Sequence, residues 1–186
     1  MPRTRPVTPH LETQKPSPLL RRFATQIISS SNGNPILDIA CGSGRNAIFL
    51  ASTGCDVVCV DSDLTALRDR QNSFAADQQV FGRLRLYEMN LLKDPWPFGT
   101  KSAAAIINVH FLLPALLPFF ENSLAPGGYL VIESIPGHGG NYLKLPQAGQ
   151  LRSALKDSFD FEFYKERKAG PGNYDAVTVQ TVARRR

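Results

Sequence analysis

The sequence has few cysteines and few histidines, which excludes several classes of protein. Three of its 186 residues are cysteine, and no two of them have the CxxC spacing of a zinc site or a redox motif. The three histidines are widely separated, so no metal-ligand constellation can be drawn from them. We therefore expect no disulfide framework, no metal centre and a reducing, cytoplasmic setting.

Long apolar runs are also absent from the sequence. No stretch approaches the roughly 18 apolar residues that a membrane-spanning helix needs. The basic N-terminus is not followed by the apolar segment of a secretory signal. We therefore expect no membrane partner.

Lysine and arginine outnumber aspartate and glutamate by 21 to 16, so the formal net charge is +5. An excess of positive charge raises nucleic acid as a partner. Much of the excess lies near the two chain ends and on helix faces that solvent would cover, so nucleic acid stays an unfavoured alternative. The oligomeric state cannot be inferred from the sequence.

The chain is predicted to form one domain preceded by a short arm. Residues 1–16 contain four prolines and few large apolar residues, which predicts a poorly ordered segment. Ser17 and Pro18 then suit the N-cap and first position of a helix. Residues 17–186 are long enough for a single domain with its own core.

Apolar runs alternate with helical patterns along this domain, which predicts an α/β fold with a mostly parallel sheet. A helix is expected over 18–31, and Pro118 should kink or divide another over 112–124. The predicted strands are 35–40, 56–61, 84–88, 103–109, 129–134, 159–168 and 174–183. The last two strands flank Gly170 to Gly172 and should form an antiparallel hairpin at the sheet edge.

A glycine-rich turn follows the first predicted strand. Gly42 to Ala47 fits the G-x-G-x-x-G/A pattern, and Asp61 lies near the distance at which an acid binds the ribose of a dinucleotide. Glycine lets a ligand approach the backbone, and the next helix begins with unpaired N–H groups. Taken alone, the pattern favours an NAD-binding oxidoreductase.

Three features argue against a dinucleotide. Asp38, just before the turn, would repel a pyrophosphate and attract a cationic ligand. The chain continues into an antiparallel hairpin rather than a second mononucleotide-binding half. The segment 125–128, Ala-Pro-Gly-Gly, precedes the fifth strand at a spacing that suits a different family.

That family is the class I S-adenosylmethionine-dependent methyltransferases, which residues 17–183 resemble. Asp38 to Gly44 is similar to the family's D-x-G-x-G-x-G motif, with Ala40 in place of the first glycine, and Asp61 matches the ribose-binding acid. The segment 40–47 together with 109–112 looks most like the small bacterial tellurite-resistance methyltransferases. The resemblance implies a Rossmann-like, doubly wound, mostly parallel seven-stranded sheet with a C-terminal antiparallel hairpin.

The resemblance also implies S-adenosylmethionine as cofactor and a set of residues that bind it. Asp38 would attract the ammonium group, or alternatively serve a hydrogen bond within the turn. Asn90 would accept from the adenine amino group, or alternatively be a turn residue, and Asn108 would lie beside the cofactor or cap its strand. The predicted cofactor-binding residues are Asp38, Ala40, Cys41, Gly42, Gly44, Asn46, Asp61, Ser62, Leu64, Asn90, Leu91 and Asn108.

The acceptor side is less defined by the sequence. His110 and Glu133 are candidate catalytic residues at strand ends, and histidine is a common general base; a structural histidine is the alternative. His110, Phe111 and Tyr142 are expected to line a substrate pocket. We expect methyl transfer to a small-molecule acceptor, with an RNA or protein methyltransferase, an NAD-binding oxidoreductase and a non-catalytic cofactor-binding module as alternatives.

Overall fold

The structure is a computed structural model that describes residues 15–73, 78–134, 141–172 and 174–186. Most of the predicted N-terminal arm, residues 1–14, lies outside this range, as do residues 135–140. The strands are β1 Ile36–Ile39, β2 Val57–Asp61, β3 Leu84–Glu88, β4 Ala103–Val109, β5 Leu124–Glu133, β6 Phe159–Ala169 and β7 Ala176–Arg185.

The seven strands form one sheet in the order β3-β2-β1-β4-β5-β7-β6. Strands β1 to β5 pair in parallel, and β7 pairs antiparallel with both β5 and β6. The predicted mostly parallel sheet with an edge hairpin is therefore confirmed. The order reverses between β1 and β4, and ligands of open α/β sheets bind at such a switch point.

The helices are short and lie on both faces of the sheet. Ser17 caps the first one, because its Oγ accepts from the backbone N–H groups of Leu19 and Leu20 at 3.1 and 3.3 Å. The helices are α1 Pro18–Arg22, α2 Ala24–Ser29, α3 Arg45–Ser52, α4 Thr65–Ser73, α5 Gln78–Phe81, α6 Leu117–Ser123 and α7 Gln150–Leu155, with 3₁₀ turns at Pro114–Leu116 and Asn141–Lys144.

The helix predicted over 18–31 is interrupted at Phe23, which separates α1 from α2. The Phe23 ring lies 6.0 Å from the ring of Phe163 in β6. The guanidinium group of Arg22 lies 5.2 and 5.1 Å from these two rings. A contact with a strand 140 residues away thus accompanies a break that helical periodicity did not predict.

Other boundaries differ from the sequence prediction. Pro118 does divide the helix over 112–124, since a 3₁₀ turn ends at Leu116 and α6 begins at Leu117. Strand β5 begins at Leu124 rather than 129, because Leu124 pairs with Ala103 before the register shifts. The α5 helix and the Asn141–Lys144 turn were not predicted.

Two apolar cores cover the two faces of the sheet, and β4 contributes to both because it is buried along its whole length. One core includes Leu20, Ile27, Leu50, Leu64, Leu67, Ile107 and Val131. The other includes Leu37, Ile39, Ile106, Phe120, Leu130, Leu151 and Phe159.

Candidate active site

The turn after β1 takes left-handed backbone conformations at three positions. The φ angles of Ala40, Gly42 and Gly44 are 56°, 54° and 76°. A Cβ added to Gly44 would lie 2.5 Å from Cδ1 of Leu67, whereas one added to Gly42 would meet no atom within 4 Å. Open space therefore lies over Gly42, which suits the close approach of a ligand to the backbone.

Asp61 is held in place at the end of β2. Its Oδ2 accepts from the N–H of Gly42 at 2.8 Å, and its Oδ1 accepts from the N–H of Asp63 at 3.2 Å. Each carboxylate oxygen has further acceptor capacity. The acid predicted to bind a ribose is therefore oriented by the same turn that would receive the rest of the cofactor.

Asp38 is almost fully buried, with 1% of its surface exposed. Its Oδ2 accepts from the N–H of Ala47 at 3.0 Å, in the first turn of α3. Burial raises the pKa of this carboxyl from 3.8 to about 7. This hydrogen bond corresponds to the second role that the sequence left open for Asp38. The contact of Asp38 with the ammonium group of the cofactor stays a prediction.

A cavity of about 340 Å³ lies at the carboxyl ends of β1, β2 and β4. It contains five of the predicted cofactor-binding residues and two of the predicted substrate-pocket residues. Leu92 and Val109 also line it and were not predicted. The lining residues are Ala40, Asp61, Ser62, Asn90, Leu91, Leu92, Val109, His110 and Phe111.

Several predicted cofactor-binding residues have buried side chains and do not line this cavity. Leu64 is fully buried in the apolar core and does not line this cavity, and its part in binding the cofactor stays a prediction. The side chain of Cys41 is also buried there, where contact with Cys59 and burial raise the pKa of its thiol. Asn46 is buried as well, and its Oδ1 accepts from the N–H of Ser17 at 2.9 Å.

The two other predicted asparagines form local contacts. Oδ1 of Asn90 accepts from the N–H of Leu92 at 3.0 Å, which is the turn interpretation of this residue, although Asn90 also lines the cavity. Asn108 is fully buried, and its Nδ2 donates to the carbonyl of Ile39 at 3.2 Å. Its buried Oδ1 has no partner among the described residues.

His110 and Glu133 are brought together at the ends of β4 and β5. Nε2 of His110 lies 3.8 Å from Oε1 of Glu133, and the backbone N–H of His110 donates to the Glu133 carbonyl. Oε2 of Glu133 accepts from the hydroxyl of Ser17 at 2.6 Å. The glutamate therefore links the start of α1 to the imidazole, a connection that the sequence did not indicate.

The predicted pocket role of Tyr142 is not supported by its position. Its ring lies 4.8 Å from the ring of Tyr174, and a Cβ added to Gly170 would be 2.6 Å from it. The tyrosine is therefore packed on the end of the β6–β7 hairpin and does not line the cavity that contains His110 and Phe111.

A second cavity of about 440 Å³ adjoins the first and shares Leu92 and Phe111 with it. Most of its lining is apolar. Its other residues are Leu112, Leu113, Pro114, Ser134, Lys144 and Leu145. A cavity with polar side chains at the glycine turn thus adjoins a mostly apolar one at Leu92 and Phe111.

The sheet order, the glycine turn and the oriented Asp61 define a nucleoside-binding site of the class I methyltransferase type. A family described as "Methyltransferase domain" matches residues 36–128, half of the chain. The chain belongs to this methyltransferase-domain family. The match favours the methyltransferase interpretation over the dinucleotide one.

One curated relative is named as a methyltransferase. Residues of the chain are 29% identical over 126 positions to the ribosomal protein L11 methyltransferase of Campylobacter concisus, covering 68% of this chain and 42% of that protein. The chain thus spans less than half the length of this relative.

Two solved structures share the fold. One is the Burkholderia thailandensis 1,6-didemethyltoxoflavin-N1-methyltransferase with bound 1,6-didemethyltoxoflavin and S-adenosylhomocysteine, at 14% identity and TM-score 0.56, covering 90% of this chain and 78% of the other. The second is TehB from Haemophilus influenzae, at 16% identity and TM-score 0.59, covering 87% and 62%.

The residues present suit S-adenosylmethionine as the cofactor. The space over Gly42, the fixed carboxylate of Asp61 and the cavity beside it provide room and acceptors for a nucleoside with a charged tail. Across the described ranges, no group of three or more potential ligands could hold a metal ion. None of the described helices is long and apolar enough to span a bilayer.

Proposed function

We propose that the protein transfers a methyl group from S-adenosylmethionine to a small-molecule acceptor. The observation that carries this proposal is the apolar cavity that shares Leu92 and Phe111 with the cofactor cavity. Cavities of a few hundred cubic ångströms with apolar walls and few polar groups are typical of small-molecule sites. We also propose that residues 1–16 form an arm and that residues 17–186 form a single domain.

The proposed mechanism depends mainly on positioning. S-adenosylmethionine, when bound, supplies a methyl group on a positively charged sulfur. Asp61 and the Gly42 turn hold the nucleoside end, while Phe111, which lines both cavities, packs against the acceptor. Alignment alone can lower a barrier by several kcal/mol, about 7 or more in favourable cases.

His110 is proposed to take up the proton that a protic acceptor loses on methylation. Its imidazole lines the cofactor cavity and is half exposed, so an acceptor can reach it. Glu133 lies beside the imidazole and is fixed by Ser17, so it is a positioning residue. An acceptor that is already anionic at its reacting atom would not need this step.

The test has two stages with the full chain. Calorimetry should first detect binding of S-adenosylhomocysteine, and Asp61→Ala should weaken it about tenfold or more through loss of charge-assisted hydrogen bonds. A panel of small acceptors is then screened for release of S-adenosylhomocysteine. A folded protein that does not bind this ligand would contradict the proposal.

A ribosomal protein is the second candidate acceptor. The similarity to the ribosomal protein L11 methyltransferase supports it. Transfer of labelled methyl groups to purified ribosomal proteins, with the small-molecule panel run in parallel, separates the two candidates. Labelled protein together with an inactive panel would favour this second candidate.

A further inference from the structure

The apolar cavity contains one cationic side chain, that of Lys144. Ser134 is its other polar side chain, and Oγ of Ser134 already accepts from the N–H of Val179 at 2.8 Å. Lys144 forms no ion pair with any residue in the described ranges. Among the described residues, the cavity is therefore lined by mostly apolar side chains and one solvent-exposed lysine that has no acidic partner.

The backbone that carries Lys144 is anchored on the β6–β7 hairpin at both sides. Tyr142, two residues before it, packs against Tyr174 and over Gly170. Pro146, two residues after it, accepts at its carbonyl from the N–H of Val177 at 2.9 Å. The ammonium group thus extends from a fixed position at the cavity wall.

The cavity is placed to receive the acceptor and not the cofactor. It meets the cofactor cavity at Leu92 and Phe111, so a molecule inside it would lie next to the site of methyl transfer. A bound anion would form an exposed ion pair with Lys144, whereas a neutral molecule would gain no such attraction and a cationic one would be repelled.

We propose that the acceptor is an apolar molecule with one anionic group, such as a carboxylate, which pairs with Lys144 while the apolar part packs on Phe111, Leu112 and Leu113. This assignment rests on the proposed function. It names Lys144 as the residue that determines the charge preference of the acceptor site, and it makes Tyr142 a positioning residue for that lysine.

The experiment measures binding of two matched probes, 2-naphthoate and 2-naphthamide, to the full chain saturated with S-adenosylhomocysteine. We expect naphthoate to bind roughly three- to fivefold more tightly, as for an exposed ion pair. Lys144→Met should remove this preference without changing the affinity for naphthamide. Lys156→Met, at the exposed position that follows the last residue of α7, is the matched control and should keep the preference.

A cavity-filling variant tests the location. Leu113 lines the apolar cavity but not the cofactor cavity, so Leu113→Trp should abolish binding of both probes and retain binding of S-adenosylhomocysteine. Equal affinity of the two probes, or a preference that survives in Lys144→Met, would overturn the proposal. If S-adenosylhomocysteine itself does not bind the folded wild type, the proposed function fails instead.

Discussion

Ala40 and His110 both line the cofactor cavity with a left-handed backbone, at φ angles of 56° and 64°. Ala40 is the one that lies within the glycine turn. Its φ of 56° lies in the left-handed region, where a Cβ costs roughly 1–2 kcal/mol. Gly42 and Gly44 share this region without that cost. The methyl group of Ala40 is thus retained in the turn at the expense of stability.

Replacing Ala40 with glycine should stabilise the fold. We expect Ala40→Gly to raise the free energy of unfolding by about 0.5–1 kcal/mol, because relief of strain exceeds the added flexibility of the unfolded chain. Urea denaturation measures the change. Ala154→Gly, in the α7 helix, is the control and should lower stability by about 1 kcal/mol. Equal destabilisation by both changes would show that Ala40 is not strained.

Asp38 should make stability depend on pH. Its pKa is about 7 in the folded protein and 3.8 in the reference state, so the folded protein keeps a proton that the unfolded chain loses. The contribution of Asp38 to stability is therefore complete below about pH 4 and is lost as the pH rises to about 7.

Asp38→Asn should remove this loss. Between pH 4 and 7, the free energy of unfolding should fall more steeply in the wild type than in the variant, and the two curves should run parallel well above pH 7. Urea denaturation at four pH values measures both curves. Asp69→Asn, at an exposed position on α4, controls for the change in charge. Parallel curves over the whole range would contradict the burial argument.

The pairing of His110 with Glu133 has a kinetic consequence for a protic acceptor. We expect His110→Ala to lower kcat about a hundredfold without weakening S-adenosylhomocysteine binding, and added imidazole to restore part of the rate. Glu133→Gln should lower kcat less, since it removes only the group that orients the imidazole. An unchanged kcat in His110→Ala would limit this residue to lining the cavity.

At the scale of elements, the glycine turn is held between α3 and α4. Gly44 ends the turn where Leu67 of α4 packs over it. We expect Gly44→Ala to destabilise the protein by about 2 kcal/mol or more, because the new Cβ meets Leu67 and the backbone is left-handed. Thermal and urea denaturation measure the loss. Gly99→Ala, where a Cβ meets no atom within 4 Å, should change stability far less.

Elements whose pattern is local were predicted well from the sequence. The apolar strands β1, β2 and β4, the Ser17 cap and the division of the helix at Pro118 all follow from nearby residues. The break at Phe23 was missed because it accompanies contact with distant Phe163.

In the candidate site, too, the residues with local sequence signals could be placed and those that depend on distant contacts could not. Asp61 and the glycines could be placed because strand ends and turns carry local signals. The orientation of Tyr142 could not, since it depends on Tyr174 in another element.

At the scale of the whole molecule, binding of S-adenosylhomocysteine at the carboxyl ends of β1, β2 and β4 should stabilise the entire fold. With S-adenosylhomocysteine at 100 times its Kd, the gain is about 2.7 kcal/mol. For a domain of this size we expect a rise in Tm of roughly 5–10 °C. NADH at the same concentration is the control and should leave Tm unchanged. An equal shift with both ligands would contradict the specificity of the site for the methyl-donor nucleoside.

The hydrogen bond from the Gly42 amide to Asp61 also affects the entropy of association. A side chain that is ordered only on binding costs about 0.5–1.5 kcal/mol in lost rotamer freedom. Asp61 has already lost that freedom during folding, in the same step that closed the turn. The nucleoside therefore binds to a carboxylate that is already fixed. Its affinity reflects the contacts it forms, because little entropy is lost in ordering the protein.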